Sequence, residues 1–262
     1  MKNNISDYLK DFFAIYGDFI TYDAYYSLSF EGRNRDVILH FYKCLSKIIN
    51  PTLDEGDIQK AMDDLLLTFA KYIENKFDTI DIGVKDIHVD NYEKYNLSDS
   101  LKIFYDSAEQ YAAYTSKLEK SDITRLYIKN VQDYYYKNFL KPIPSETSIL
   151  TMMGTKFVPR DVSTLKQALM EFNNFLSHVY TALVSTEDVV IIGNLERAQG
   201  HLHRSALDFY KAIIKNLKFS NKLLPEKEQQ FLQVRALEYK SIGHAHDNRV
   251  AVIGCYHDIV AK

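Results

Sequence analysis

Hydrophobic residues recur every three or four positions along most of the chain, with polar residues between them. This spacing predicts amphipathic helices, each of which buries one face in a core. The predicted helices cover about 4–28, 34–49, 54–76, 98–119, 121–140, 163–185, 187–219 and 226–260. The fold class is therefore predicted to be all-α, a multi-helix bundle of about seven or eight helices. Thr52 and Glu55 have the spacing of a capping box and predict the start of the third helix.

Three segments interrupt the helical pattern. TIDIGVKDIHV, residues 79–89, alternates apolar and polar residues and predicts either a short strand pair or a structured loop. Residues 141–161 contain three of the five prolines and predict a connecting segment between an N-terminal helical subdomain, 1–140, and a C-terminal one, 162–262. SIGHAHDN, residues 241–248, predicts a kink or break in the last helix because Gly, Asp and Asn disfavour a helix interior.

The last two predicted helices are long enough to pair as an antiparallel hairpin that turns near residue 222. Such a hairpin would bring together two His-x-His pairs, an arginine and an aspartate: His201, His203, His244, His246, Arg197 and Asp247. Three interpretations are open for this cluster. It could be a phosphate-handling site, a metal site, or a polar layer of the bundle with His203 and His246 near the core and His201 solvated.

Composition agrees with a globular helical protein. Apolar residues make up 46% and charged residues 26% of the chain, and nine glycines and five prolines leave room for long helices. Aromatic side chains, 20 Tyr and 15 Phe without Trp, can fill a core and reach an interface. Cys44 and Cys255 are too isolated for a disulfide framework or a thiolate zinc site, which favours a reducing cytosol. Without a signal-peptide pattern or an apolar run of about 18 residues, a cytoplasmic protein with no membrane span is expected.

The formal net charge of −3 conceals a difference between the two ends of the chain. Residues 163–262 contain 12 Lys and Arg against 10 Asp and Glu, whereas the remainder contains 20 against 25. The C-terminal part is the better candidate for an anionic ligand, either RNA or another phosphate-bearing molecule. The candidate ligand-binding residues are His201, Arg204, Lys211, Lys215, His244, His246 and Asp247. Because no His-Glu-x-x-His spacing occurs, a metal is not predicted, and because neither a phosphate loop nor a dinucleotide fingerprint occurs, a cofactor is not predicted either.

Arginine precedes histidine at a short spacing in two places. Arg35 and His40 are separated by four residues, with Tyr42 two positions further on, and Arg197 and His203 are separated by five. These segments resemble the Arg-x4–6-His signature of the HEPN superfamily of helical-bundle proteins, and the first is similar to the Arg-x4-His-x-Tyr variant of its toxin members. The resemblance implies a metal-independent ribonuclease in which His is the acid and base and Arg stabilises the phosphorane charge. It also implies a context of bacterial conflict or anti-phage defence.

Helical geometry leaves a second interpretation of the first segment open. At 100° per residue, Arg35 and His40 project about 140° apart, whereas Arg33 projects only about 20° from His40. The apolar face of this helix is predicted to contain Val37, Phe41, Cys44, Leu45 and Ile48. His40 lies beyond the edge of that face, where a pair with Asp36 would be either an orienting contact for catalysis or an ordinary surface contact.

Two functions fit these observations. The first is a helical interaction or regulatory subunit of a larger assembly, with a protein partner or as a homo-oligomer, in a defence system of the kind that the resemblance implies. The alternative is a HEPN-like endoribonuclease with Arg35, His40, Arg197 and His203 as its catalytic residues. Catalytic activity itself is left open by the sequence.

Overall fold

The computed structural model describes residues 5–26, 34–50, 52, 54–73, 86–118, 166–240 and 247–261. These residues form nine helices and no strand: α1 (Ile5–Tyr26), α2 (Arg35–Ile48), α3 (Glu55–Tyr72), α4 (Asp90–Glu93), α5 (Ser98–Thr115), α6 (Lys166–Leu183), α7 (Asp188–Phe219), α8 (Pro225–Lys240) and α9 (Asp247–Val260). The prediction of an all-α multi-helix bundle is confirmed.

Most of the predicted helices have a counterpart among these elements. The bounds of α1, α2, α3, α5, α6 and α7 agree with the predicted ones to within four residues at each end. The sequence does not predict α4, because its four residues are too few to show a helical period. The predicted helix 121–140, the connecting segment 141–161 and residues 79–85 lie outside the described residues. Residues 86–89, the end of the segment predicted as strand pair or loop, are irregular and finish in a turn.

The start of α3 differs from the predicted capping box. Its N-cap is Asp54, whose carboxylate accepts a hydrogen bond from the backbone N–H of Asp57 at 2.8 Å. Thr52 instead donates its hydroxyl to the side-chain oxygen of Asn50 at 2.8 Å. The predicted box of Thr52 and Glu55 is therefore wrong. A carboxylate at the N-cap satisfies the same exposed N–H groups, and its charge is favourable at a helix N-terminus.

The helices belong to two compact units that interleave along the chain. The first unit comprises Met1–Tyr105 with Lys166–Ala206, and the second comprises Asp106–Leu165 with Leu207–Lys262, each within the limits of the described residues. This division does not follow the chain order of the predicted N-terminal and C-terminal subdomains. The boundaries between the units fall within α5 and α7, so each of these helices contributes residues to both units.

Aromatic rings build the core of the first unit. Phe41 of α2 is fully buried and packs on Phe12, Tyr16 and Phe19 of α1, with ring centroids 5.4, 5.2 and 5.2 Å away. Tyr16 satisfies its buried hydroxyl by donating to the backbone oxygen of Asn173 in α6 at 2.9 Å. α2 buries the whole face predicted from its sequence: Val37, Phe41, Cys44, Leu45 and Ile48. The periodic apolar pattern of α1 and α2 is thus fully used in internal packing.

The predicted last helix, 226–260, is two helices, and the segment that joins them, 241–246, lies outside the described residues. The separation of α8 from α9 agrees with the break predicted in SIGHAHDN. α9 packs back against α8 in the second unit. Phe231 and Tyr256 pack edge to face with ring centroids 6.0 Å apart, and Lys227 donates to the backbone oxygen of Asp258 at 2.7 Å.

α8 also lies beside the C-terminal part of α7. Lys218 of α7 pairs with Glu228 of α8 at 2.5 Å, and Lys211 of α7 pairs with Glu238 of α8. Asn221, in the turn between the two helices, adopts a left-handed backbone conformation with φ 54°. The predicted hairpin aligned residues beyond 240 with α7 on the assumption that 226–260 is one straight helix. Because α9 packs back against α8, this alignment does not apply to α9.

Candidate functional site

A polar cluster joins α6 and α7 in the first unit. Oε2 of Glu171 on α6 lies 2.6 Å from Nδ1 of His201 on α7 and accepts a hydrogen bond from Nε of Arg204 at 3.0 Å. Nη2 of Arg204 lies 2.6 Å from the same His201 Nδ1. The side chains are 15% exposed for His201, 20% for Glu171 and 44% for Arg204. The cluster is therefore half-buried on its imidazole side and open to solvent at its guanidinium.

The spacing of residues along α7 places further polar groups next to this cluster. His201 and Arg204 are three residues apart and share one face of the helix, and the exposed Arg197 lies one turn before His201 on that face. The His201 ring stacks on the ring of His178, with centroids 5.1 Å apart and planes at 23°. Nδ1 of His178 lies 2.8 Å from the side-chain oxygen of Asn194. Two imidazoles and two guanidinium groups thus occur along one edge.

Sequence reasoning missed the two α6 residues of this cluster. Glu171 and His178 are seven residues apart, so they lie two turns apart on one face of α6. The neighbouring Phe172, Phe175 and Val179 are completely buried. Two polar residues at this spacing beside an apolar stripe are the signal that could have identified them. Their partners are on another helix, however, and only the packing of α6 against α7 reveals the pairing.

Burial and hydrogen bonding act in opposite directions on the carboxyl of Glu171. Burial raises its pKa, but the hydrogen bonds from His201 and Arg204 and the charge of Arg204 outweigh burial and hold the pKa below its usual value. Burial lowers the pKa of His201, against the hydrogen bond with Glu171, and the charge of Arg204 lowers it further. At neutral pH the cluster therefore combines an ionised carboxylate, a neutral imidazole and a guanidinium.

His201 cannot satisfy both of its close neighbours through Nδ1. If Nδ1 carries the proton, it donates to Glu171 at 2.6 Å, and its N–H then faces an N–H of Arg204 at the same distance. If Nδ1 carries no proton, it accepts from Arg204, and its lone pair faces the carboxylate. One of the two contacts is unfavourable in either tautomer. Because a hydrogen bond to an ionised carboxylate is the stronger of the two, we infer that Nδ1 carries the proton and donates to Glu171, which leaves Arg204 Nη2 facing a second donor.

His203, a predicted catalytic residue, lies in the interior of the first unit. It is 1% exposed, and its Nε2 lies 3.1 Å from the hydroxyl oxygen of Ser100. Ser100 accepts from the side chain of Gln199 at 3.0 Å, and Gln199 accepts from the hydroxyl of Tyr95 at 3.2 Å. His203 therefore belongs to a buried polar network, as the polar-layer interpretation expects. Arg197 and His203 are six residues apart and therefore project about 120° from one another on α7. While His203 points into the core, Arg197 is exposed.

Arg35 and His40 are both partly exposed on α2, and Arg35 is the first residue of the helix. Nδ1 of His40 lies 2.7 Å from the backbone oxygen of Asp36, so Nδ1 carries the donated proton and Nε2 is the basic nitrogen. The predicted pair of Asp36 and His40 is thus made through the backbone and not through the carboxylate. Tyr42 packs on the core ring of Phe104, with centroids 5.7 Å apart.

The other predicted ligand-binding residues have different surroundings. Lys211 is ion-paired with Glu238, which also accepts from the hydroxyl of Tyr256 at 2.8 Å. Lys215 is exposed. His201 is not the solvated residue of the polar-layer interpretation, since it is held against Glu171. Outside the described residues lie Arg33, His244, His246 and the side chain of Asp247.

α8 exposes apolar residues on a side of the helix that is turned away from its packed face. Phe231 and Val234 face inward, and Val234 is 6% exposed. Leu232 and Tyr239 are 62% and 65% exposed, and the exposed Ala236 lies between them. Because these three residues follow an i, i+4, i+7 spacing, they form one line along the helix, the outer stripe. It is a second candidate site, on the second unit.

Neither a metal site nor a membrane span is found in the part of the chain that the structure describes. Within it, no group of three or more His, Cys, Asp or Glu side chains could hold a metal ion. None of the described helices combines the length and apolar character needed to cross a membrane. No protein-family model, curated protein or solved structure matches the chain. The fold alone therefore defines its class, an all-α helical bundle.

Proposed function

We propose that the chain is a helical interaction subunit that binds a partner protein through the outer stripe of α8. The observation that carries this proposal is the exposure of Leu232 and Tyr239, at 62% and 65%, on one line of the helix. Full burial of a large apolar side chain contributes about 1.5–3 kcal/mol, so both residues retain favourable free energy for an association. An amphipathic helix of a partner offers apolar residues at matching spacing.

The anchor at the C-terminal end of the stripe is held in place before binding. The guanidinium of Arg235 lies over the Tyr239 ring, 5.1 Å from its centroid, and is itself ion-paired with Glu238. A side chain that is ordered in advance loses less entropy when it binds. Tyr and Arg are also the residue types that most often dominate binding energy at interfaces. These features support a specific contact at this face.

The larger assembly is a separate part of the proposal. The resemblance of the Arg–His segments to the HEPN superfamily favours a bacterial conflict or anti-phage defence system as its context. The partner would then be encoded beside this chain.

Co-purification tests this function directly. The tagged full chain is expressed together with its neighbouring genes, and the purified material is examined by mass spectrometry and light scattering. We expect a stoichiometric partner that is lost when Leu232→Ser and Tyr239→Ser are combined. Val189→Ser is the matched control, since Val189 is 86% exposed and lies outside the stripe. Retention of the partner by the double variant, or a wild-type chain that is monomeric and alone, would contradict the proposal.

A HEPN-like ribonuclease is the second candidate, and the tautomer of His40 supports it. With its Nδ1 proton donated to the Asp36 backbone at 2.7 Å, His40 presents Nε2 as a base at a partly exposed position. We expect single-stranded or structured RNA to be cleaved in the presence of EDTA, and cleavage to be lost in His40→Ala. Unchanged cleavage by this variant would point to contamination and would remove the candidate.

A further inference from the structure

The cluster of Glu171, His201 and Arg204 holds a hydrogen-bond donor against another donor. Nη2 of Arg204 lies 2.6 Å from Nδ1 of His201, and the proton of Nδ1 is directed to Glu171 Oε2 at the same distance. Two N–H donors that face each other repel, and neither donates to the other. The strained contact lies at the open side of the cluster, where the Arg204 side chain is 44% exposed.

An acceptor supplied from solvent would relieve this contact. The guanidinium of Arg204 has five N–H donors in one plane, of which the Nε donor is held by Glu171 at 3.0 Å. If an anion drew the Nη groups outward, His201 would donate to Glu171 without an opposing N–H. Binding would therefore gain one charge-assisted hydrogen bond and remove one repulsion. The cluster favours an anionic ligand in preference to a cation or a neutral group.

Arg197 provides a second guanidinium on the same face of α7. It is exposed, and it precedes Arg204 by seven residues, which places the two about 10 Å apart along the helix axis and only about 20° apart around it. Long arginine side chains at this separation can reach one ligand between them. Within the cluster, the carboxylate of Glu171 is hydrogen-bonded to Arg204, and its one negative charge faces the two positive charges of Arg204 and Arg197.

We propose that Arg197 and Arg204 on this edge of α7 bind a phosphate group, with Arg204 Nη2 turned from His201 to a phosphate oxygen. A phosphate carries a charge of about −1.5 to −2 at neutral pH and has three or more acceptor oxygens in a tetrahedral array. It can therefore accept from two guanidinium groups that approach from different directions. A carboxylate has a single charge and two coplanar oxygens, so it offers two guanidinium groups less charge and fewer directions of approach than a phosphate does. This site lies in the first unit and is independent of the outer stripe.

Calorimetric titration of the full chain with sodium phosphate at constant ionic strength tests the site, with adenosine monophosphate and acetate as companion ligands. We expect Arg204→Gln to weaken phosphate binding by about tenfold and Arg197→Gln by about threefold. Glu171→Gln should tighten it by about threefold, because that substitution removes the opposing charge and keeps the side-chain shape. Arg249→Gln, which removes an arginine from α9, is the matched control and should change affinity by less than about twofold.

Nitrogen NMR of the histidine rings provides a readout that a general charge effect would not reproduce. Phosphate should shift the ring nitrogen signals of His201, which faces Arg204, and leave those of the buried His203 unchanged. Tighter binding of the nucleotide would identify a phosphate ester as the ligand, and equal binding of inorganic phosphate would identify the free anion. Both results support the site. Equal affinity for acetate, an equal loss in Arg249→Gln, weaker binding by Glu171→Gln, or no heat with phosphate would overturn it.

Discussion

α2 and α8 are helices of 14 and 16 residues with opposite distributions of apolar side chains. α2 places six apolar residues on a single buried face, and its solvent side is polar. α8 buries a single apolar residue, Val234, while Leu232, Leu237 and Tyr239 are more than half exposed. Both segments form regular α-helices. The difference shows that the helical period alone does not tell which apolar residues serve the core and which are left for a partner.

The packed sides of the two helices also differ in chemistry. Phe41 of α2 is fully buried and packs on the rings of Phe12, Tyr16 and Phe19. On the packed side of α8, Glu238 accepts from Lys211, Arg235 and Tyr256. Apolar burial stabilises in proportion to area, whereas half-buried ion pairs largely compensate for their own desolvation. We therefore expect the packing of α2 to contribute more to the free energy of unfolding than the packing of α8.

A matched pair of leucine substitutions gives the largest expected contrast. Leu45 of α2 is 1% exposed and Leu232 of α8 is 62% exposed. Leu45→Ala should lower the free energy of unfolding by about 2–5 kcal/mol, because it removes buried methyl groups and leaves a cavity. Leu232→Ala should change it by less than about 0.5 kcal/mol. Urea unfolding followed by circular dichroism measures both, and similar losses would erase the distinction between the two helices.

Two glycines within helices differ in the space available for a side chain. A Cβ at Gly17 of α1 would lie 2.5 Å from the hydroxyl oxygen of Tyr180 and 2.7 Å from its nearest ring carbon, whereas a Cβ at Gly254 of α9 would meet nothing within 4 Å. Gly17→Ala should therefore cost about 1–3 kcal/mol through overpacking. Gly254→Ala should stabilise by about 0.5–1 kcal/mol through reduced unfolded-state entropy. The same urea titrations apply, and Tyr180→Ala should rescue Gly17→Ala but leave Gly254→Ala unaffected.

The sequence predicts the contents of the core better than the contents of the candidate site. The period of α2 identifies its buried face, and the position of His203 on the apolar shoulder of α7 anticipates its burial. The pairing of His201 with Glu171 is not predictable in this way, because the two are 30 residues apart and meet only through the register of α6 against α7. The exposure of Leu232 is likewise a tertiary property, since a leucine in a helix is compatible with either environment.

The polar cluster should make the first unit sensitive to mild acid. The pKa of His201 is lowered below 6.5 by burial, so the unfolded chain takes up the proton more readily than the folded one. Stability is therefore complete above pH 6.5 and decreases as the pH falls through the folded pKa. We expect stability to fall over this pH range in the wild type and to fall less in His201→Gln, which does not titrate. Urea midpoints between pH 8 and 5.5 measure it, and a loss of the same size in the variant would assign the effect to other groups.

The smallest effect concerns the exposed ion pair between Lys218 of α7 and Glu228 of α8, whose side chains are 57% and 42% exposed. A double-mutant cycle with Lys218→Gln and Glu228→Gln should give a coupling of less than about 0.5 kcal/mol at low salt and close to zero in 1 M NaCl, since the pair is screened. A coupling above about 1 kcal/mol that persists in salt would mean that α8 is rigidly attached by its charges. The expected weak coupling has a further consequence. A helix whose ion pair with α7 contributes little gains stability when a partner covers the outer stripe, so partner binding should raise the free energy of unfolding of the second unit.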